Sequence, residues 1–290
     1  MGLAQQYARN VDAIINEIRL SRRRFFVLVE GSSDYRFLCN HVKEGVCVKN
    51  VYGRDAVLKA THLLGKFRNE NFVGLVDADL KCVVARTEEM PRLVHVSLAE
   101  QDDESCIDLE SCLIRTPALA KVCLEAFGDD IEAQGGPEAA AGRIRAWLKE
   151  TASAIGAYRA AVMEHSIVGD RIASLARFDE CPDSEWKKFA NANSLACDVI
   201  ALEQLIREYV QPPEKFPALR QTAKDYTAKC GAGWLLCRGH DMSRLLAMHF
   251  SAKGAAIRSR ADVERALRMC FDRRMFEETA FGRKLMAYGT

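Results

Sequence analysis

The sequence predicts an α/β domain built on a parallel sheet, residues 1–130, followed by an all-helical domain, residues 131–290. Three observations predict it. Short apolar runs alternate with helical periodicity over residues 1–107, the order expected of βαβ units. After residue 107 strand-sized runs nearly vanish. The chain, at 290 residues with 49% hydrophobic and 28% charged residues, exceeds one average domain and carries enough apolar surface for a sizeable core.

Taken in order, Val11, Ile14, Ile15 and Ile18 recur at helical spacing and predict an N-terminal amphipathic helix, closed by Arg22, Arg23 and Arg24. Phe25–Val29 predicts a strand buried on both faces. A helix carrying Tyr35, Phe37, Leu38 and Val42 follows, with Ser32 or Ser33 as its cap. Residues 46–52 predict a second strand, and a helix capped by Asp55 runs to about residue 69. Phe72–Val76 predicts the third strand and residues 93–97 the fourth. Helical periodicity then takes over at 119–127, 139–163, 195–210 and 262–271. Residues 129–137, with Gly135, Gly136 and Pro137, predict the domain boundary.

Composition excludes several classes. No apolar run approaches the roughly 18 residues of a membrane span, so no membrane partner is expected. The N-terminus has no basic stretch ahead of an apolar core, and Gln6 stands where a myristoylation signal needs Ser or Thr. Eleven cysteines without a secretory signal imply a reducing, cytoplasmic setting, and no C-x-x-C spacing marks structural zinc. Net charge is +1 but unevenly spread. Residues 235–290 hold eleven Lys/Arg against six Asp/Glu. Between Glu100 and Glu110 stand six acids (Glu100, Asp102, Asp103, Glu104, Asp108, Glu110) and no base. Those two segments read either as a phosphate-binding face beside a metal site or as two solvated faces.

In open parallel sheets ligands bind beyond the carboxyl ends of the strands. Glu30 ends the first strand, and Asp77 and Asp79 follow the third. If those strands are neighbours, three carboxylates converge, and all-oxygen ligation selects Mg2+ or Mn2+. Such a site suits phosphoryl transfer.

The residues Val29-Glu30-Gly31-Ser32-Ser33-Asp34, then Val76-Asp77-Ala78-Asp79, with the turn Gly53-Arg54-Asp55 between them, resemble the Toprim domain of topoisomerases, bacterial primases and overcoming-lysogenization-defect (OLD) nucleases. The match covers residues 24–115. It implies Glu30 as general acid/base and Asp77 and Asp79 as metal ligands, with Glu30 also touching the metal. Asp34 reads as a further ligand or as a helix cap. Glu110 reads as an acid completing a second metal site with Glu30 and Asp34, or as an acid favoured by a helix N-terminus.

The chain lacks a P-loop, since Gly65-Lys66 is followed by Phe67 and position 60 is Ala. A Toprim domain with a helical tail is similar to the nuclease subunit of two-gene anti-phage systems of the PARIS type. That resemblance implies a toxic effector that cleaves nucleic acid, transfer RNA ahead of DNA, and is held inactive by a separate ATPase subunit. A homodimer is the expected active form. Cys237 to Asp241 also resembles a tail element of those proteins. Charge alone nominates Arg54, Lys81, Arg238, Arg258, Arg260, Arg265 and Arg268, with Arg273 and Arg274, to dock the nucleic-acid backbone. The alternatives are a DNA-cutting Toprim nuclease and a catalytically idle regulatory subunit.

Other motifs point to structure. His240-Asp241 reads as a surface or capping pair, and Glu164-His165 lacks the second histidine of a zinc protease. Trp147, Trp186 and Trp234 read as core packing rather than base-stacking residues.

Overall fold

Five apolar residues in a row leave no polar face to turn toward water, and Phe25–Val29 (β1) sits inside a four-stranded parallel sheet. A computed structural model of the chain describes residues 3–21, 23–85, 89–97, 106–167, 176–231 and 233–288. Arg22 and the acids Glu100, Asp102, Asp103 and Glu104 lie outside the described residues. The other strands are β2 (Val46–Asn50), β3 (Phe72–Val76) and β4 (Leu93–His95), and the order across the sheet is β2-β1-β3-β4.

The helices, in chain order, begin with α1 (Leu3–Leu20), α2 (Ser32–Cys39), α3 (Arg54–Lys66), α4 (Lys81–Val84) and α5 (Leu109–Arg115). They continue with α6 (Ala118–Phe127), α7 (Pro137–Ile167), α8 (Ala176–Glu180), α9 (Asp183–Trp186) and α10 (Val199–Tyr209). The last are α11 (Phe216–Cys230), α12 (Gly239–Ala252), α13 (Arg260–Cys270), α14 (Arg273–Glu278) and α15 (Ala280–Tyr288). Among the described residues no helix is long and apolar enough to cross a membrane.

The chain divides into two compact units. The first holds residues 1–78, 87–100 and 272–290, and it is α/β. Val11, Ile15 and Ile18 of α1 join Val57 and Leu64 of α3 over Phe26, Leu28, Phe72 and Val76 of the sheet. Alternation sends Val27, Val29, Val73 and Leu75 to the opposite face, where α2 lies along β2 and α15 along β3 and β4. Both faces are therefore covered, which is why β1 and β3 are apolar throughout.

Gly74 lets α3 approach β3. A Cβ there would lie 2.4 Å from Thr61 Oγ1 and 3.0 Å from Val57 Cγ1. The strands β2 and β4 stop short of the expected 46–52 and 93–97 because their partners stop. Val29 pairs with Asn50 and Val76 with His95 at the last registered positions. The expected serine and Asp55 caps also differ: Gly31 and Gly53 are the cap residues of α2 and α3, with no side-chain cap bond.

The second unit holds residues 79–86 and 101–271, and among its described residues the elements are helices apart from the two-residue strands Ala190–Asn191 (β5) and Ala196–Cys197 (β6). The 31-residue α7 runs through it, with α6, α11 and α12 packed against it. Trp147, Trp186 and Phe178 are fully buried, consistent with the core reading of the tryptophans Trp147 and Trp186. The expected boundary at 129–137 falls inside this unit. Those residues form a 3-10 turn with Ile131 buried, ending at Gly135 in the left-handed region before Pro137 opens α7. Residues 272–290 instead join the sheet unit, where Phe276 and Phe281 are buried and the Phe281 N–H donates to the Ser97 carbonyl at 3.2 Å.

Candidate active site

The order β2-β1-β3-β4 makes β1 and β3 neighbours and points them the same way. Glu30 and Asp77, each following its strand, therefore lie at one edge. The Asp77 N–H donates to Glu30 Oε1 at 3.0 Å. The Glu30 carbonyl in turn accepts from the Gly53 N–H at 2.7 Å, tying the β2–α3 link to the same edge. Arg54, the first residue of α3, donates through Nη1 to the Asp77 carbonyl. Asp34 stands in the first turn of α2, with Oδ2 3.2 Å from where a Gly31 Cβ would be. It thus lies against the residue that follows Glu30, and it accepts from Ser33 Oγ at 3.4 Å. Four residues named from the sequence, Glu30, Asp34, Arg54 and Asp77, are brought together in the first unit.

Asp79 opens the second unit. It has φ 54°, in the left-handed region that aspartate tolerates better than most residues, and its N–H donates to the Ile107 carbonyl at 2.7 Å. Lys81 is the exposed first residue of α4. Among the described residues no group of three or more His, Cys, Asp and Glu side chains stands close enough together to hold a metal ion. Mg2+ asks for less: one or two carboxylates, with water and phosphate completing the shell. Glu30 and Asp77 are hard oxygen donors of that kind.

Glu110 belongs to a second cluster of charge. Asp108 caps α5, accepting the Ser111 N–H at 2.8 Å and the Gly239 N–H at 2.7 Å. Burial pushes the Asp108 carboxyl up to about 6, with Glu110 adding to the rise and the Gly239 and Ser111 bonds opposing it. Glu110 is buried and ion-paired with Arg268, which also reaches Glu264 at 3.7 Å. His240 Nδ1 bonds Glu264 at 3.0 Å, and that bond raises the imidazole above its usual value. Asp241 is not His240's partner; it is buried against Arg159 at 2.8 Å, and Arg159 also pairs with Asp179. The sequence carried one signal of this cluster, the Asp108-x-x-Ser111 capping box, while the spacing of residues 108, 240, 264 and 268 gave none.

The nominated basic residues divide by what they touch. Arg268 is committed to Glu110 and Glu264. Arg238 meets Asp179 at 3.3 Å, and Arg258 Nε donates to the Ala255 carbonyl at 3.1 Å. Arg260, itself exposed, reaches the largely buried Glu264 at 3.5 Å, Arg265 forms an exposed intrahelical pair with Asp262, and Arg273 and Arg274 do so with Glu277 and Glu278. Exposed pairs of this kind are weak and leave the cation accessible. No protein-family model matches the chain, and no curated protein matches it.

Proposed function

We propose that the chain is a metal-dependent phosphodiesterase of the Toprim kind acting on nucleic acid. The observation that carries this reading is the bond between the Asp77 N–H and Glu30 Oε1, which holds two acids from neighbouring parallel strand ends at one edge. Glu30 and Asp77 would hold Mg2+ or Mn2+, and the Toprim resemblance also names Asp79 as a ligand. When bound, the ion supplies stabilisation of the charge on the phosphate oxygens. Glu30 takes the proton of the nucleophile or gives one to the leaving group. Arg54, fixed through the Asp77 carbonyl, braces the residue that carries the second acid. No second ion is proposed at Glu110, whose charge Arg268 neutralises. The resemblance extends the reading to transfer RNA as the favoured substrate, an anti-phage role and a separate ATPase subunit.

One observation favours a catalytically idle interaction subunit: Glu30 already serves the fold as an acceptor for a backbone N–H. Purified chain with Mg2+ or Mn2+ separates the readings on bulk transfer RNA, single-stranded DNA and plasmid. The expected result is cleavage that Glu30→Gln slows by about 10²- to 10⁴-fold, the range general acid–base catalysis covers. Equal cleavage by wild type and Glu30→Gln would refute the role of Glu30. No cleavage of any substrate with either metal would sink autonomous nuclease action.

A further inference from the structure

The second unit has an apolar groove and, beside it, an apolar side chain left in water. Pro117, Ala120 and Leu124, on one face of α6, line a groove of about 410 Å³ with Gly136 and Pro137. Leu124 in its wall is 46% exposed. The rim is acidic. Glu138 lines it, and Glu125, Asp129, Asp130 and Glu132 are exposed on the chain that joins its two walls. Against these five acids stand the exposed Lys121 and Arg143 and the half-buried Arg145, which reaches Glu138 at 3.9 Å. Such a rim repels a phosphate backbone and favours a cation carried beside an apolar group. That combination occurs on α13, which packs against α6. Ala261, Arg265 and Met269 recur four residues apart and are exposed, Met269 by 79%. Met269 does not line the groove of its own chain. Arg265 meets Asp262 at 3.6 Å, a surface pair that leaves the cation accessible. The Cys270 thiol, next to Met269, feels the charges of Glu125 and Lys121, so this stripe and the groove's helix are neighbours.

We infer that the second unit pairs with a second copy of this chain, Met269 of each copy entering the α6 groove of the other and Arg265 meeting the acidic rim. The inference stands apart from the nuclease reading and does not rest on it. A stripe and a groove side by side satisfy each other twice across a two-fold axis, the commonest symmetry of paired chains. Methionine, unbranched and with three rotatable bonds, fits a groove of irregular shape. A stable pair buries about 800 Å² on each partner, so the exposed sides of α6 and α13 around the groove complete the contact. Arg265, which charge alone nominated for the nucleic-acid backbone, is thereby assigned to protein.

Sedimentation equilibrium of the full chain, from about 1 to 100 μM and without nucleic acid or metal, tests this. A reductant keeps the eleven cysteines from cross-linking copies. The expected result is a monomer–dimer equilibrium. Met269→Asp places a charge in the groove, and Leu124→Lys places one in its wall; each is expected to weaken association by at least about 30-fold, the loss of one dominant interface side chain. Both positions are exposed, and circular dichroism confirms that the variants fold. Mixing the two variants is the sharpest arm. Either variant alone pairs with both contacts damaged. The mixed pair keeps one contact intact, Met269 of the Leu124→Lys chain in the groove of the Met269→Asp chain, and the other sets the new carboxylate against the new ammonium. The mixture is therefore expected to associate more tightly than either variant by itself. A wild-type chain still monomeric at the highest concentration, a dimer that neither variant weakens, or a mixture no tighter than its parents would each overturn the inference.

Discussion

Gly74→Ala tests the packing that sets β3, the strand leading to Asp77. The added Cβ would meet Thr61 Oγ1 at 2.4 Å, Val57 Cγ1 at 3.0 Å and Leu93 Cδ1 at 3.2 Å. Thr61 is 2% exposed on α3, and all three neighbours belong to the packed layer between helix and sheet. Alanine gains about 0.5–1 kcal/mol over glycine by restricting the unfolded chain. Overpacking of this severity costs about 1–3 kcal/mol, so a net loss of about 1–2 kcal/mol is expected. The closest contact is a hydroxyl without a hydrogen-bond partner among the described residues, which makes it the natural site of relief. Thr61→Ala should therefore be close to neutral alone, and the double variant should recover about 1 kcal/mol as a coupling energy. Urea denaturation followed by far-UV circular dichroism reads all four proteins. A double variant whose loss equals the sum of the singles within about 0.5 kcal/mol would refute the contact as the cause.

Two further outcomes follow from buried charge. Arg268→Ala strands Glu110, whose side chain is 8% exposed, and should destabilise by about 3–5 kcal/mol, with most of the loss recovered in Arg268→Ala/Glu110→Gln. If Arg268 instead docks phosphate, stability stays put and the salt dependence of nucleic-acid binding falls by about one unit of slope. Burial holds the His249 imidazole below its usual value, among Phe127, Trp147 and Phe250 and near Lys253, while its Nδ1–H bonds the Ala192 carbonyl at 2.6 Å. The unfolded chain therefore binds a proton that the folded chain refuses. The stability is fully present above about pH 6.5 and is lost as pH falls through the lower folded value. The urea midpoint of His249→Gln should accordingly fall less than wild type on acidification. Parallel profiles would show that His249 is not the group responsible.

The parts of this molecule legible in its sequence are those set by local pattern. Phe25–Val29 and Phe72–Val76 are marked by apolar runs too short for helices, but two successive βαβ units allow β2 on either side of β1, and it is the order β2-β1-β3-β4 that makes the two strands neighbours. The convergence of Glu30 and Asp77 is the same fact seen at the strand ends. What the sequence hid was nonlocal. Residues 272–290 read as more helical tail, yet Met275, Phe276, Phe281 and Leu285 bury themselves with the sheet unit. The Gly135-Gly136-Pro137 punctuation ends one helix and starts the next within a unit, because the chemistry of a tight turn is the same whether or not a domain ends there. Glu110 looked unpaired because its cation lies 158 residues away on α13. Tyr52 lies inside the expected strand 46–52, yet its φ of 62° places it in the turn after Asn50, and a positive φ leaves no trace in composition.

The hydrogen bond from Asp77 to Glu30 supports the fold, and it does not thereby exclude chemistry. An ionised carboxylate offers two oxygens and about four acceptor sites, so one backbone bond orients the group without exhausting it. Orientation is what a catalytic carboxylate needs, because a proton moves efficiently only between groups held within hydrogen-bond reach. The bond runs from the backbone of the second acid to the side chain of the first, so the position of each acid depends on the other. Gly53 adds a third constraint by donating to the Glu30 carbonyl, which couples the β2–α3 link to the same edge. Replacing Glu30 by glutamine preserves that acceptor and removes the charge, whereas alanine removes both. If the two variants are equally inactive while only alanine is unstable, the bond serves the fold and the charge serves the reaction.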